Sequence, residues 1–379
     1  MGKEGLASVQ DIEDFTRGTD FLSANGGGVP EETRALLKDD LKRGLELSWV
    51  DLEDLADDAN VVCTFFSGSI APGSFDRAEM ERQLGLEHKV ERPLVAAVGE
   101  LEAFTGKKFD TMISVEIGGI NTGLAFDAAA NLGLRMVNAD YAGRAIPEAD
   151  CITPNIFGKR IYPMACVDYY GDVTYLKDAQ HNRMAERLSK FIASASFGIV
   201  GCAAIILSGK EVKEIAVPAT LSECLAIGRA IREAREKGQD PIQAVIDQLG
   251  QAWVLFRGTI VSREWEDRDG YMFGTTHIGG SGDYEGQTLD VWFKNENHVS
   301  WLNGKPWVCS PDLITLAYRE TGEGISNPDI KEGDDVVAVG MKGLEAFRTE
   351  SGLNEAAGPR YFGFDIDYEP IERLMEESR

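Results

Sequence analysis

Residues Ile113–Asn121, ISVEIGGIN, restrict this chain more than any other stretch. An apolar run breaks off at two glycines and passes directly into TGLAFDAAANL, residues 122–132, whose composition and spacing are those of a helix ended by Gly133. Strand, tight glycine turn and helix together make the repeating unit of an α/β sheet. Ile113–Ile117 reads as a buried strand, and Glu116 is its one acid. A carboxylate adds nothing to the packing of an apolar strand and is costly to bury. Gly118 and Gly119 admit positive φ and the close approach of another group. Asn121 follows with an amide. The stretch therefore reads as one wall of an active site.

The same alternation continues on both sides. Asp11–Gly18 reads as a short amphipathic helix capped by Asp11. A glycine loop, FLSANGGGVP (21–30), leads into the helical EETRALLKDDLKRG, with Pro30 in its first turn. Glu31 and Glu32 would repel a phosphate there, so Gly27 and Gly28 read better as backbone wall of a pocket or as a tight turn. Asn60–Phe66 is a strand running into the loop 67–73, Glu91–Thr105 a helix, and 134–140 a strand running into the loop 141–148. This pattern predicts a mostly parallel α/β N-terminal domain. Ligands bind such sheets at the carboxyl ends of the strands, so the loops 67–73, 116–122 and 140–148 should gather into one site. The candidate catalytic residues are Glu116, Asp140, Arg144 and Glu148. The candidate substrate contacts are Asn121, Gly118, Gly119, Gly27, Gly28 and Ser67.

Further along, residues 161–178 read as a hairpin, 180–194 as a helix and 199–207 as a strand. Thr220–Lys237 is helical, with Thr220 and Glu223 spaced as a capping box. From Trp253 helix formers give way to short alternating runs, and Asn303-Gly304 is a hairpin signal. The expected organisation is an α/β domain over 1–252, a β-rich C-terminal domain over 253–345, and a tail, 346–379, that returns to the first domain.

Composition removes several classes of function. A formal charge of −25 disfavours nucleic acid and anionic membrane as partners. The N-terminus has no apolar signal region, and the longest apolar run, near Ile199–Leu207, is too short to span a bilayer. The expected compartment is the cytoplasm. The six cysteines include no CxxC pair and sit mostly in apolar runs, as buried reduced thiols do. The four histidines form no HxH or HExxH motif. A carboxylate-rich metal site from Glu116, Asp140 and Glu148 stays open, and no cofactor is assigned.

Several motifs occur in a familiar order: GGG near the N-terminus, EIGGxN at 116–121, DxxGRAxPE at 140–148, ATLS at 219–222, FRGTIV at 256–261, NEN at 295–297, PDLI at 311–314 and GPRYFGFDIDY at 358–368. In these the chain resembles the S-methyl-thiohydantoin desulfurase family across nearly its whole length. Ala219 stands where relatives more usually carry glycine. The resemblance implies an α/β domain followed by a β-rich one, a cyclic amide substrate related to hydantoin, and loss of sulfur from a ring carbon. It also implies an association with hydantoinase- and oxoprolinase-type enzymes.

The residues suit such chemistry. Glu116, desolvated at a strand end, can act as a base on water. Arg144 and the N–H groups of Gly118 and Gly119 can stabilise developing charge. Asn121 can hold the donor and acceptor of a ring amide. Asp140 or Glu148 can orient Arg144 or serve as the acid. Each has a plainer reading: Glu116 as an ion-pair partner of Arg144, Asn121 as a helix cap, Asp140 as a turn residue. The expected activity is hydrolytic, with release of sulfide or a thiol. The alternative is a non-catalytic partner of a hydantoinase-type enzyme. Homo-oligomerisation is open.

Overall fold

The computed structural model describes residues 4–28, 31–71 and 77–377. Pro30 and residues 72–73 of the expected loop lie outside them. Among the described residues the first sheet has nine strands: β1 (Glu4–Gly5), β2 (Ser48–Asp51), β3 (Asn60–Gly68), β4 (Thr111–Ser114), β5 (Arg135–Asp140), β6 (Met164–Val167), β7 (Val173–Leu176), β8 (Ile199–Ser208) and β9 (Val217–Pro218). Their order is β1-β2-β5-β4-β3-β8-β6-β7, with β9 on β5. The strands β2, β5, β4 and β3 are parallel, each pair joined by its own ladder. From β3 outward the pairs with β8, β6 and β7 are antiparallel, so the parallel block is flanked by a meander. The parallel block is what the strand–helix alternation encodes. The flank comes from the hairpin at 164–176 folding back onto the apolar β8.

One core fills each face of this sheet. Helices Val9–Leu22, Pro93–Thr105, Asn121–Leu132 and Thr220–Glu236 bury Phe15, Leu101, Phe126 and Ile227 on one face. Val61, Ile113, Val137 and Tyr141 lie in the core on the other. The ring of Phe126 meets Phe15 and Trp49 edge-on at 5.5 and 6.1 Å. Two caps differ from expectation. Ser8, not Asp11, caps the first long helix, its hydroxyl accepting the Asp11 N–H at 3.0 Å. The box at Thr220 and Glu223 does not form, because Ala219 takes the cap position in left-handed backbone, φ 63°. Asn138 of β5 instead accepts the Ser222 N–H at 3.0 Å.

The second sheet is antiparallel: β10 (Ala252–Arg268), β11 (Tyr271–Gly280), β12 (Thr288–Lys294), β13 (Glu296–Leu302), β14 (Lys305–Cys309), β15 (Leu313–Tyr318) and β16 (Asp335–Met341), in the order β14-β13-β12-β11-β10-β16-β15. It curls until its edge strands β14 and β15 approach each other. Asn303 and Gly304 join β13 to β14 with φ 51° and 75°, as a type I′ turn requires. The glycine loop at 24–28 ties the two sheets together. Asn25 sits in left-handed backbone, φ 67°, and its amide donates to the carbonyls of Leu316 and Ile325. Its Oδ1 accepts from the Leu316 N–H and from Asn297 Nδ2, both at 2.7 Å. The C-terminal tail runs over both sheets. Tyr361 reaches Glu148, while Phe362 and Phe364 pack on His298 and Trp292 and Ile371 enters the core of the second sheet.

Candidate functional site

At the carboxyl ends of β3 and β4 lies a cavity of about 510 Å³. Its walls come from Phe65–Ile70, Val115, Glu116, Ile120 and Asn121, from the loop 146–149, from Gly27 and Gly28, and from Asn295 and Glu296 of the second sheet. Most of the lining is apolar.

The strand expected to continue to Ile117 stops at Ser114. The Ser114 hydroxyl donates to the Glu116 carbonyl at 2.7 Å, and the Thr122 hydroxyl donates to the same oxygen at 2.9 Å. These bonds bend the chain and turn the Glu116 side chain to the cavity wall, where it is 3 % exposed. Its Oε1 accepts from Asn121 Nδ2 at 2.5 Å, and its Oε2 accepts the Ile146 N–H at 2.6 Å. Burial lifts its pKa to about 7 against those two donors and the nearby Lys190, and Glu186 adds to the lift. Asn121 is the first residue of its helix rather than a cap, and its Oδ1 accepts the Phe66 N–H at 2.8 Å. Its amide thus locks Glu116 to β3.

Gly118 and Gly119 do not line the cavity, and neither has positive φ. The Gly118 N–H is committed to the Thr122 hydroxyl at 2.9 Å, which removes it as a donor to developing charge. What the pair provides is closeness: a Cβ on Gly27 would stand 2.7 Å from the Gly118 Cα and 3.2 Å from the Gly119 nitrogen. The two glycine loops of the sequence touch backbone to backbone. Gly27 and Gly28 border the cavity, as does Ser67, whose hydroxyl lies 3.1 Å from that of Ser189.

The loop after β5 divides its acids and its arginine among different surroundings. Asp140 is fully buried, and its Oδ2 accepts the N–H groups of Ala142 and Gly143 at 2.9 and 2.7 Å. This is the turn-forming role, and burial raises its pKa to about 7. Glu148 borders the cavity, held in an ion pair with Lys294 and by the Tyr361 hydroxyl at 3.0 Å. Arg144 points away. Its Nε–H donates to the Ala145 carbonyl at 3.0 Å and an Nη2–H to the Asn297 carbonyl at 2.9 Å. Among the described residues no carboxylate lies within 4.0 Å of it, so neither Asp140 nor Glu148 orients it and Glu116 is not its partner. Nor do Glu116, Asp140 and Glu148 converge. Among the described residues no three His, Cys, Asp or Glu side chains are grouped to hold a metal ion.

Besides Glu148, three further charged residues from distant segments share the cavity with Glu116: Glu186, Lys190 and Glu296. Glu186 and Lys190 lie one turn apart on the helix Asn182–Ala195, 3.8 Å from each other. Lys190 Nζ donates to the Gly68 carbonyl at 2.7 Å and sits 4.7 Å over the Tyr271 ring. Burial raises the pKa of Glu186, and raises that of Glu296 to about 8, with Glu116 as the next cause. The motif NEN at 295–297 and the acid at 186 were visible in the sequence. Nothing local told that a β-strand of the second domain and a later helix would close over the EIGGxN turn.

Fold and site together define a two-domain protein with a preformed cavity where an α/β sheet meets a curled antiparallel one. The chain belongs to the S-Me-THD-like family: the N-terminal domain of that family matches residues 10–178 and the C-terminal domain residues 180–371. The family name, S-methyl-thiohydantoin desulfurase, implies desulfurase activity on a thiohydantoin. The boundary near residue 179 falls within the first sheet, since β8 beyond it pairs with β3 and β6. A crystal structure of a protein from Chromobacterium violaceum, 19% identical, superposes with a TM-score of 0.75 over 98% of this chain and 100% of its own, and so shares the fold. No curated protein matches the sequence. Among the described residues no helix is long and apolar enough to cross a membrane.

Proposed function

We propose that this protein hydrolyses an S-methyl-thiohydantoin, or a closely related thio-substituted cyclic amide, at the ring carbon that carries sulfur. Water adds to that carbon as Glu116 takes its proton. The carbon–sulfur bond then breaks, Glu116 returns the proton to the departing sulfur, and a thiol and a hydantoin are released. An unmethylated thiohydantoin would release hydrogen sulfide in a similar way, the hydroxyl of the water adduct giving up the second proton as the ring carbonyl forms. The observation that carries this reading is the Glu116 carboxyl, fixed by two hydrogen bonds at the wall of an apolar cavity with a pKa of about 7. A carboxyl with that pKa exchanges a proton in either direction at neutral pH. Lys190, rather than Arg144, is the cation placed to face the charge that builds up on the ring. The apolar walls admit a ring with a hydrocarbon substituent. The test is thiol release from S-methyl-thiohydantoins by the purified protein alone. Glu116→Gln should lower kcat/KM by roughly 10²–10⁴-fold. Absence of turnover by the wild-type chain alone would sink the proposal and leave the role of partner to a hydantoinase-type enzyme.

A further inference from the structure

On the far side of the loop 142–148 lies a second cavity of about 250 Å³, which shares only Arg144's neighbour Ile146 with the first. Arg144 forms part of its wall, 6 % exposed. A guanidinium has five N–H donors. Here one goes to Ala145, one to Asn297, and a third only reaches the Ser310 hydroxyl at 3.5 Å. The acids that act on its charge are Glu296, Glu116 and Asp312, but none forms an ion pair with it within 4.0 Å, and guanidinium does not escape burial by losing its proton. His298 stands on the same wall, 2 % exposed, with the Lys294 backbone close to its ring but no hydrogen bond of good geometry to either ring nitrogen among the described residues. Phe362 covers one face of the ring, the ring centroids 3.9 Å apart. Burial and the charge of Arg144 keep the ring neutral, with one nitrogen donating and the other accepting.

The rest of the lining selects the ligand. Leu22, Leu249, Leu313, Met341 and Leu344 make it predominantly apolar. Lys342 is already held by Glu345 at 2.8 Å, which leaves Arg144 as the cation of this wall without an ion pair among the described residues. Glu223 is on the wall as well and repels a multiply charged anion. One cation without an ion pair, one acid, an imidazole and apolar sides in so small a space fit a singly charged head on a hydrocarbon body. We propose that this second cavity is a binding site for a small apolar monocarboxylate, its carboxylate on Arg144 and its head group against His298. The site is distinct from the cavity of Glu116 but wired to it. The Arg144 carbonyl accepts the Ile117 N–H at 3.2 Å, and two residues on, Ile146 holds Glu116.

Titration calorimetry with isovalerate and phenylacetate tests this without any turnover, and isovaleramide and phenylacetamide serve as uncharged matches. Saturable binding of an acid, with its amide at least about tenfold weaker, is expected. Arg144→Gln and Ala357→Phe, the second filling the cavity from the tail, should each weaken the acid by at least about tenfold while circular dichroism reports a folded chain. Should Arg144→Gln fail to fold, Ala357→Phe alone decides. Equal binding of acid and amide overturns the proposal. So does binding that survives Ala357→Phe, or no saturable binding of either acid.

Discussion

Replacing Gly27 by alanine separates the two demands that this position makes. The residue has φ 71°, so a side chain costs about 1–2 kcal/mol in backbone conformation alone. The new Cβ would also stand 2.7 Å from the Gly118 Cα, 3.2 Å from the Gly119 nitrogen and 3.3 Å from the Ala145 Cβ. Carbon atoms rest about 3.5–4.0 Å apart, so the loops must part by roughly 1 Å. Overpacking of that kind adds about 1–3 kcal/mol, for a total of about 2–5 kcal/mol. The Gly118 backbone has little room to yield, because the Ile120 N–H donates to the Gly27 carbonyl at 2.9 Å and Thr122 pins the turn. The displacement therefore passes to Glu116. Gly133→Ala is the control: its φ is 69°, but a Cβ there meets nothing within 4 Å, so it should lose only about 1–2 kcal/mol. Urea denaturation gives the stabilities and thiol release gives kcat/KM. Gly27→Ala should cost about 2 kcal/mol more than Gly133→Ala and lower kcat/KM by up to about 10²-fold, with Gly133→Ala near wild type. Equal losses at the two positions, or full activity in Gly27→Ala, would refute the claim that the two glycine loops fix Glu116 by contact.

Stability should fall as pH rises from about 6.5 to 8. Glu116 and Asp140 have pKa values of about 7 and Glu296 of about 8 when folded, whereas the unfolded chain has already lost those protons. The folded state thus binds more protons across that window, and a set of urea midpoints that is flat or rising would contradict the assignment. Below it His298, kept neutral by burial, opposes the trend. Ala219→Gly should raise stability by about 1 kcal/mol, because φ 63° there favours glycine, and an unchanged urea midpoint would argue against strain at that cap. Asn25→Asp should cost about 3 kcal/mol or more: it sets a carboxylate against the carbonyls of Leu316 and Ile325, and intact thermal stability would deny that this residue joins the two sheets.

Local pattern was a good guide wherever neighbours in sequence decide the outcome. The helix over 93–105, the hairpin at 164–176, the strand at 199–208 and the turn at Asn303-Gly304 all follow from periodicity and turn chemistry. The odd carboxylate at 116 and the acid at 148 do border one cavity. Local pattern misled where a distant group supplies the partner. Thr220 and Glu223 have the spacing of a capping box, but Asn138 on β5 satisfies that helix start instead.

By itself, then, the sequence determined a mostly parallel α/β core, a β-rich second domain and an acid at a strand end, because these depend on hydrophobic period and on glycine. Tertiary structure decided which groups surround that acid. Glu186, Lys190 and Glu296 reach it from a later helix and another sheet, while the neighbouring Arg144 turns its charge into a separate cavity. Closeness along the chain fixes the direction of the backbone. Burial and charge at a site depend on contacts between segments far apart in sequence, and those exist only once both sheets have closed on each other.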